Sequence, residues 1–357
     1  MEAFTGTRPL AQPLPLDALQ AWLSQHVPGF AGPLQVEQFK GGQSNPTYLL
    51  ITPGARYVMR SKPGPVAKLL PSAHAIEREF QVMRALAGSA VPVPQMLALC
   101  EDEAIIGRAF YVMSFMEGRV LWDQSLPGMT PAERGAHYDE MNRVIAALHQ
   151  VDFQAAGLGG YGKPGSYFER QIGRWSKQYQ ASITDPNPAM DALIEWLPAH
   201  IPASARDESE VSIVHGDFRL DNLVFHPTEP RVIAVLDWEL STLGHPLADF
   251  SYHCMSWHIQ ASGVARGLAG KNLDELGIPQ ERAYVQRYCE RTGRADVDAV
   301  MADWNFYLAY NMFRIAAILQ GIAKRVEAGT ASSAQAKASG DTARPMAELA
   351  WSFAQRG

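Results

Sequence analysis

The sequence predicts an α+β fold in two lobes, a small antiparallel-sheet N-lobe carrying one helix and a larger, mainly helical C-lobe. Three observations carry this. Period-two alternation at 34–39 and short apolar runs at 47–52 and 57–60, with turn residues between them, read as strands, and an apolar strand pattern returns at 109–115. From about residue 131 the apolar positions switch to helical spacing. Set among those helical stretches, His215-Gly216-Asp217-Phe218-Arg219-Leu220-Asp221-Asn222-Leu223 and Leu236-Asp237-Trp238-Glu239 read as a loop and a strand end framed by short strands at 212–215, 223–225 and 232–236.

Composition narrows the class. The chain has 357 residues, 47% hydrophobic and 19% charged, enough for two lobes with a real core. A net charge of -6 provides no basic field for nucleic acid. Cys100, Cys254 and Cys289 are scattered without a CxxC pair, which argues for a reducing compartment and against a disulfide framework or zinc site. Prolines at 9, 13 and 15 disfavour a signal peptide, and no apolar run approaches the roughly 20 residues of a membrane span. The expectation is a soluble, cytoplasmic protein with neither nucleic-acid nor membrane partners.

The elements follow in order. Residues 1–14 read as a loose arm and 16–26 as a short helix, with Leu16, Leu19, Trp22 and Leu23 on one face and Pro28-Gly29 ending it. Residues 1–29 therefore form an arm and helix, 30–116 the sheet lobe and 117–357 the helical lobe. Strands are expected at 34–39, 47–52 and 57–60. Between the first two, Gly41-Gly42-Gln43-Ser44-Asn45 forms a turn-rich loop whose backbone N–H groups and small polar side chains suit an anion. A helix at 72–87, with Ser72 as cap, carries Glu77 and Glu79 beside Phe80, Met83 and Leu86. Val91-Pro92-Val93-Pro94 begins an extended crossing, and the 109–115 strand runs into Met116-Glu117-Gly118, a natural hinge. Backbone groups of Ser114, Phe115 and Met116 are placed to meet a purine base. Helices follow at 131–149, 167–180, 187–197, 280–292 and 295–324, then a mobile Ala/Ser/Gly-rich connection at 328–341 and a last helix near 343–355.

The chemistry concentrates at three residues. Asp217 lies five residues before Asn222 and twenty before Asp237. A hairpin formed by 223–225 and 232–236 returns Asp237 beside Asn222. That is the layout of a phosphoryl-transfer centre, in which one Asp accepts the proton of an attacking hydroxyl while an Asn and a second Asp hold Mg2+ on the phosphates of ATP.

Together with Tyr57-Val58-Met59-Arg60, Glu77-Arg78-Glu79-Phe80 and Pro246-Leu247-Ala248-Asp249, these stretches resemble the aminoglycoside phosphotransferase and choline kinase superfamily over about residues 39–319. The resemblance implies the bilobal protein-kinase-like fold. It makes Asp217 the catalytic base, Asn222 and Asp237 the magnesium ligands, and Asp249 a brace for the loop around His215. Arg60 takes the phosphate-cation position where the family usually has Lys, paired with a helix Glu, Glu79 being favoured over Glu77; Lys62 is a rival cation. An Arg there still grips phosphate through a planar, bidentate contact.

Residues 71–79 and 167–175 look closest to the kinase-like domain found at the N-terminus of some acyl-CoA dehydrogenases, although no flavin motif is present here. That likeness implies a hydroxylated acyl acceptor, and Arg170, Arg174, Arg314, Trp257 and Trp304 supply an inventory suited to an anionic, partly apolar molecule. The expected activity is therefore an ATP- and Mg2+-dependent kinase acting on the hydroxyl of a small molecule. An aminoglycoside-type antibiotic kinase and a non-catalytic nucleotide-binding pseudokinase are the alternatives. Without Asp-Phe-Gly and Ala-Pro-Glu landmarks, nothing frames an activation loop around a peptide.

Overall fold

The structure, a computed structural model, describes residues 6–40, 45–63, 75–163, 165–207, 209–261, 267–294, 296–330 and 336–357. The chain divides into two compact units. One comprises Met1–Val120, Ala156–Leu158 and Asp221–Ser241; the other comprises Leu121–Ala155, Gly159–Leu220 and Thr242–Gly357.

The first unit is built on a six-stranded antiparallel sheet. Its spatial order is Thr7–Arg8, Gln35–Phe39, Thr47–Ile51, Arg56–Ser61, Phe110–Ser114, Met96–Cys100. Because side chains alternate across a strand, Phe110 and Val112 face one way and Tyr111 the other. The first face packs with helix Leu16–His26 through Leu19, Trp22 and Leu23, Trp22 meeting Phe110 edge-on at 4.9 Å. Tyr111 instead meets Phe80 of helix Ile76–Leu86, at 6.2 Å between ring centres.

A second, three-stranded sheet joins Val232–Val235, Leu223–Phe225 and Arg119–Val120. Gly118 enters that sheet against backbone. A Cβ there would stand 2.3 Å from the carbonyl oxygen of Phe225, so only glycine fits.

Two expectations change in this unit. The arm at 1–14 is not wholly loose, since Thr7 and Arg8 pair with Phe39 and Gln38 as an edge strand. The crossing that begins at Val91 passes into a strand, Met96–Cys100, which forms the opposite edge. The cap expected at Ser72 and the loop Gly41, Gly42, Gln43, Ser44 lie outside the described residues.

The second unit is helical apart from a two-stranded pair, Ser212–Val214 with Thr242–Gly244. Helix Trp304–Glu327 is its axis; helices Tyr167–Gln180, Pro188–Ala199, Pro246–Cys254 and Ala343–Ala354 pack around it. Helix Pro131–His149 starts where its chemistry dictates. Thr130 and Glu133 form a reciprocal capping box and Pro131 fills the first position.

The single helix expected over 295–324 is two, Val297–Ala302 and Trp304–Glu327, broken at Asp303. Short acidic side chains compete with the helix for local hydrogen bonds, and Asp303 instead accepts from the Ser204 hydroxyl at 2.5 Å. Within the connection expected to be mobile, Ala336–Gly340 forms a short helix, as an alanine-rich stretch favours. Helix Pro246–Cys254, read only as a motif from the sequence, begins with Pro246 in its first turn and the His245 ring accepting from the Leu247 N–H. Among the described residues no helix is long and apolar enough to cross a membrane.

Candidate active site

In the sheet-bearing unit, the hairpin delivers the geometry that its length implies. Leu223 pairs with Val235, and the Leu236 N–H donates to the Asn222 carbonyl at 2.8 Å, so Asn222 and Asp237 stand at adjacent strand ends. Asp237 itself has φ 65° and ψ 61°, the left-handed region that Asp tolerates better than most residues. There it meets Arg60.

The Arg60 guanidinium donates to Asp237 Oδ1 at 2.7 Å and to Glu239 Oε2 at 3.4 Å. Its Nε lies 3.2 Å from Glu79 Oε2, an ion-pair distance at an angle that does not make a hydrogen bond. Glu79 is 1% exposed; it also accepts from Asn45 Nδ2 at 3.0 Å and from the Tyr111 hydroxyl at 3.2 Å. The open alternatives of the sequence resolve here: Arg60 pairs with Glu79, and Lys62 with Glu77.

One guanidinium thus faces three carboxylates. Burial alone would lower the Arg60 pKa, but the charges of Glu79 and Asp237 outweigh it and hold the pKa above its ordinary value. Burial pushes the Glu79 carboxyl up to about 7; Arg60 draws it down, and Asp237 and Glu239 push it up again. The excess of negative charge and the oxygen donors of Asp237 and Asn222 fit a hard divalent cation such as Mg2+. That ion is held by one or two protein carboxylates together with substrate phosphates rather than by an all-protein cage.

Of the residues expected to meet a base, Ser114 already uses its N–H on the Gln95 carbonyl at 2.9 Å. Phe115 lies under the Arg56 guanidinium at 4.3 Å, and the Met116 sulfur accepts from the Ser114 hydroxyl.

In the helical unit the loop that carries Asp217 is gripped from several sides. Asp249, fully buried, accepts from the His215 N–H at 2.7 Å, the Gly216 N–H at 2.8 Å and His149 Nε2 at 3.2 Å. Burial alone would raise its pKa, but His149 and the hydrogen bonds hold the carboxyl below the usual range. His149 is the reverse case: burial lowers its pKa more than Asp249 raises it, so the ring is neutral and its Nδ1 accepts from the Tyr288 hydroxyl at 2.7 Å. Gly216 sits at φ 82°, a conformation that favours glycine. Its carbonyl accepts from Arg314 at 2.6 Å.

Asp217 Oδ1 accepts from the Tyr252 hydroxyl and lies 3.3 Å from Arg219 Nε. Arg314 is 6% exposed, stacks over Tyr252 and Trp175 at 5.2 and 5.7 Å, and has no carboxylate within ion-pair distance among the described residues.

The rest of the expected acceptor inventory divides. Arg174 is exposed and lies over Trp175 at 5.2 Å, and Arg170 donates to the Lys163 carbonyl at 2.6 Å. Trp257 and Trp304 belong to the core instead: they are 6% and 3% exposed, and their indole N–H groups donate to the Pro279 carbonyl and to Glu281. Glu239 stood in a sequence motif without a role, and Tyr252 and His149 were not singled out from the sequence. Tyr252 could have been, since it falls three residues after Asp249 and so on the same helix face.

Comparison with known proteins places this arrangement. A protein of Ralstonia eutropha JMP134 whose crystal structure is named for the aminoglycoside phosphotransferases superposes with a TM-score of 0.87, is 65% identical, and is covered over 99% of its length by 96% of this chain. A thermostable mutant of aminoglycoside phosphotransferase APH(4)-Ia, at 16% identity and TM-score 0.60, shares the fold over 94% of this chain and 98% of that one.

Acyl-CoA dehydrogenase family member 10 of Mus musculus is 48% identical over 355 residues, which is 98% of this chain and 32% of that protein. Family member 11 of Homo sapiens is 40% identical over 361 residues, which is 99% of this chain and 45% of that protein. The chain thus spans less than half the length of these curated relatives. The model of the phosphotransferase enzyme family matches residues 35–299. That span exceeds half of the sequence and takes in both the Arg60 cluster and the Asp217 loop, so the chain belongs to the phosphotransferase enzyme family.

Proposed function

We propose that the chain is an ATP- and Mg2+-dependent small-molecule kinase that phosphorylates a hydroxyl group, with a hydroxyacyl or other anionic metabolite as the acceptor. The observation that carries the reading is Arg60, a buried cation held by Glu79 that also reaches Asp237. This is what a phosphate-binding cation beside a metal ligand requires.

In this reading Arg60 and the loop 41–45 hold the phosphates, and the backbone at Phe115 and Met116 holds the base. Asn222 and Asp237 hold magnesium, which when bound neutralises the charge that develops on the transferring phosphoryl group. Asp217 orients the acceptor hydroxyl and takes its proton as that oxygen bonds to the γ-phosphorus. The Asp249 brace keeps Asp217 in place, so that positioning supplies much of the rate. Arg314, without a carboxylate within ion-pair distance among the described residues, supports an acceptor that carries negative charge, and Arg174, over the same Trp175 ring, adds to it.

The test is transfer of labelled phosphate from ATP to a panel of hydroxy acids, hydroxyacyl thioesters and aminoglycosides. Asp217→Ala should lower transfer by about 10²–10⁴-fold and leave nucleotide binding intact; full activity in that variant would refute the assignment. Phosphorylation confined to aminoglycosides would overturn the anionic acceptor alone.

A further inference from the structure

We propose that Tyr252 is a positioning residue for Asp217, fixing through its hydroxyl the direction in which the candidate base presents its carboxylate to the acceptor. This rests on Asp217 being that base. The support is geometric. Tyr252 is 7% exposed on helix Pro246–Cys254, and its hydroxyl donates to Asp217 Oδ1. The same helix carries Asp249, which holds the His215 and Gly216 N–H groups. One rigid element therefore grips the loop twice, by its backbone through Asp249 and by its reacting side chain through Tyr252.

A second helix locks the grip. Arg314 of Trp304–Glu327 donates to the Gly216 carbonyl at 2.6 Å while its guanidinium lies over the Tyr252 ring at 5.2 Å. The ring cannot tilt without breaking a cation–π contact in a buried setting. Burial, with the Asp217 charge, pushes the Tyr252 phenol far above its ordinary range, so the hydroxyl stays a donor.

The proton accounting follows. As the acceptor oxygen bonds to the γ-phosphorus, the bond from that phosphorus to the β–γ bridging oxygen breaks and ADP leaves with the electron pair. The acceptor's proton goes to Asp217. Tyr252 keeps its own proton throughout and acts only by orienting the carboxylate. Among the described residues, charged and titratable groups that face Asp217 include Arg219 and His215 from its own loop, Tyr252 from one helix and Arg314 from the other.

The experiment follows turnover of labelled Mg-ATP with water as acceptor in the intact chain, comparing the parent, Tyr252→Phe and Asp217→Ala. Affinity for AMP-PNP and the thermal midpoint are recorded alongside. Tyr252→Phe keeps the ring under Arg314 and removes only the hydroxyl. Loss of a hydrogen bond to a charged group predicts a fall in kcat of about 10–100-fold, with KM for Mg-ATP, AMP-PNP affinity and thermal midpoint unchanged. The signature of a positioning role is this split, a loss in kcat with binding and folding untouched.

Parental kcat in Tyr252→Phe, with Asp217→Ala inactive, would overturn the positioning role and leave the base standing. A Tyr252→Phe protein that melts early or loses AMP-PNP would also overturn it, by showing a merely structural tyrosine. Parental turnover in Asp217→Ala, or no turnover above that of Asp217→Ala in the parent, would remove the base reading itself.

Discussion

Replacing Asp249 by Asn tests whether the buried carboxylate holds the Asp217 loop. Three donors converge on it: the N–H groups of His215 and Gly216 and Nε2 of His149. Oδ2 accepts two of them and Oδ1 the third. An Asn has one acceptor oxygen. Its best fit places that oxygen at the Oδ2 position, and its NH2 then faces the Gly216 N–H, donor against donor. One charge-assisted hydrogen bond is lost and a buried N–H is left without a partner, together about 2–4 kcal/mol. Because 1.4 kcal/mol is a tenfold change, the amides of His215 and Gly216 should exchange about 30- to 700-fold faster by opening of the loop. Hydrogen exchange read by mass spectrometry or NMR measures this directly, with no need for two-state unfolding of the whole chain. Kinase turnover should fall while AMP-PNP affinity is retained. Parental exchange at both amides would refute the brace. The pH sign is also determined. The folded Asp249 carboxyl lies below its ordinary 3.8, so its contribution is fully present above that pH and disappears only as pH falls through the lower folded value.

Two further outcomes follow from the same geometry. Arg60→Met should weaken nucleotide binding and change the pH dependence of stability. The folded Glu79 carboxyl, raised to about 7, already costs stability as pH rises from 4.5 to 7. Without Arg60 that proton is held more tightly still, so the variant should go on losing stability relative to the parent as pH rises above 7, until its own Glu79 ionises. Urea titrations at two pH values measure this, and a pH-independent difference would refute it. Gly216→Ala forces a side chain onto φ 82°. It should cost about 1–2 kcal/mol and lower kcat, because both the N–H and the carbonyl of residue 216 are held and the loop cannot relax.

Much of the fold was legible because its periods are clean. The helices at 131–149 and 167–180 and the strand at 223–225 stand where apolar spacing and turn residues place them. The choice of Glu79 over Glu77 could have been read more firmly. Ile76, Phe80 and Met83 define the buried face of their helix, and residue 79 lies on it while 77 is turned away. Other features depended on partners distant in sequence. Nothing local marks Asp303 as a break until Ser204 is seen to reach it. Trp257 and Trp304 carry the residue type of a binding surface, and only their bonds to Pro279 and Glu281 identify them as core. Arg314 was expected at the acceptor; its bond to the Gly216 carbonyl gives it a structural duty that composition could not reveal.

The polar line from Tyr288 through His149 to Asp249 has a direction. The Tyr288 hydroxyl donates to His149 Nδ1, and His149 Nε2–H donates to Asp249. Each member's hydrogen-bonding sense dictates the next, so residues 149, 249 and 288 act as one unit rather than three. A substitution on helix Glu281–Thr292 made to reshape the protein elsewhere would be felt at Gly216. Any redesign of this unit therefore has to exchange the three together, and a triple mutant cycle over them should be strongly non-additive.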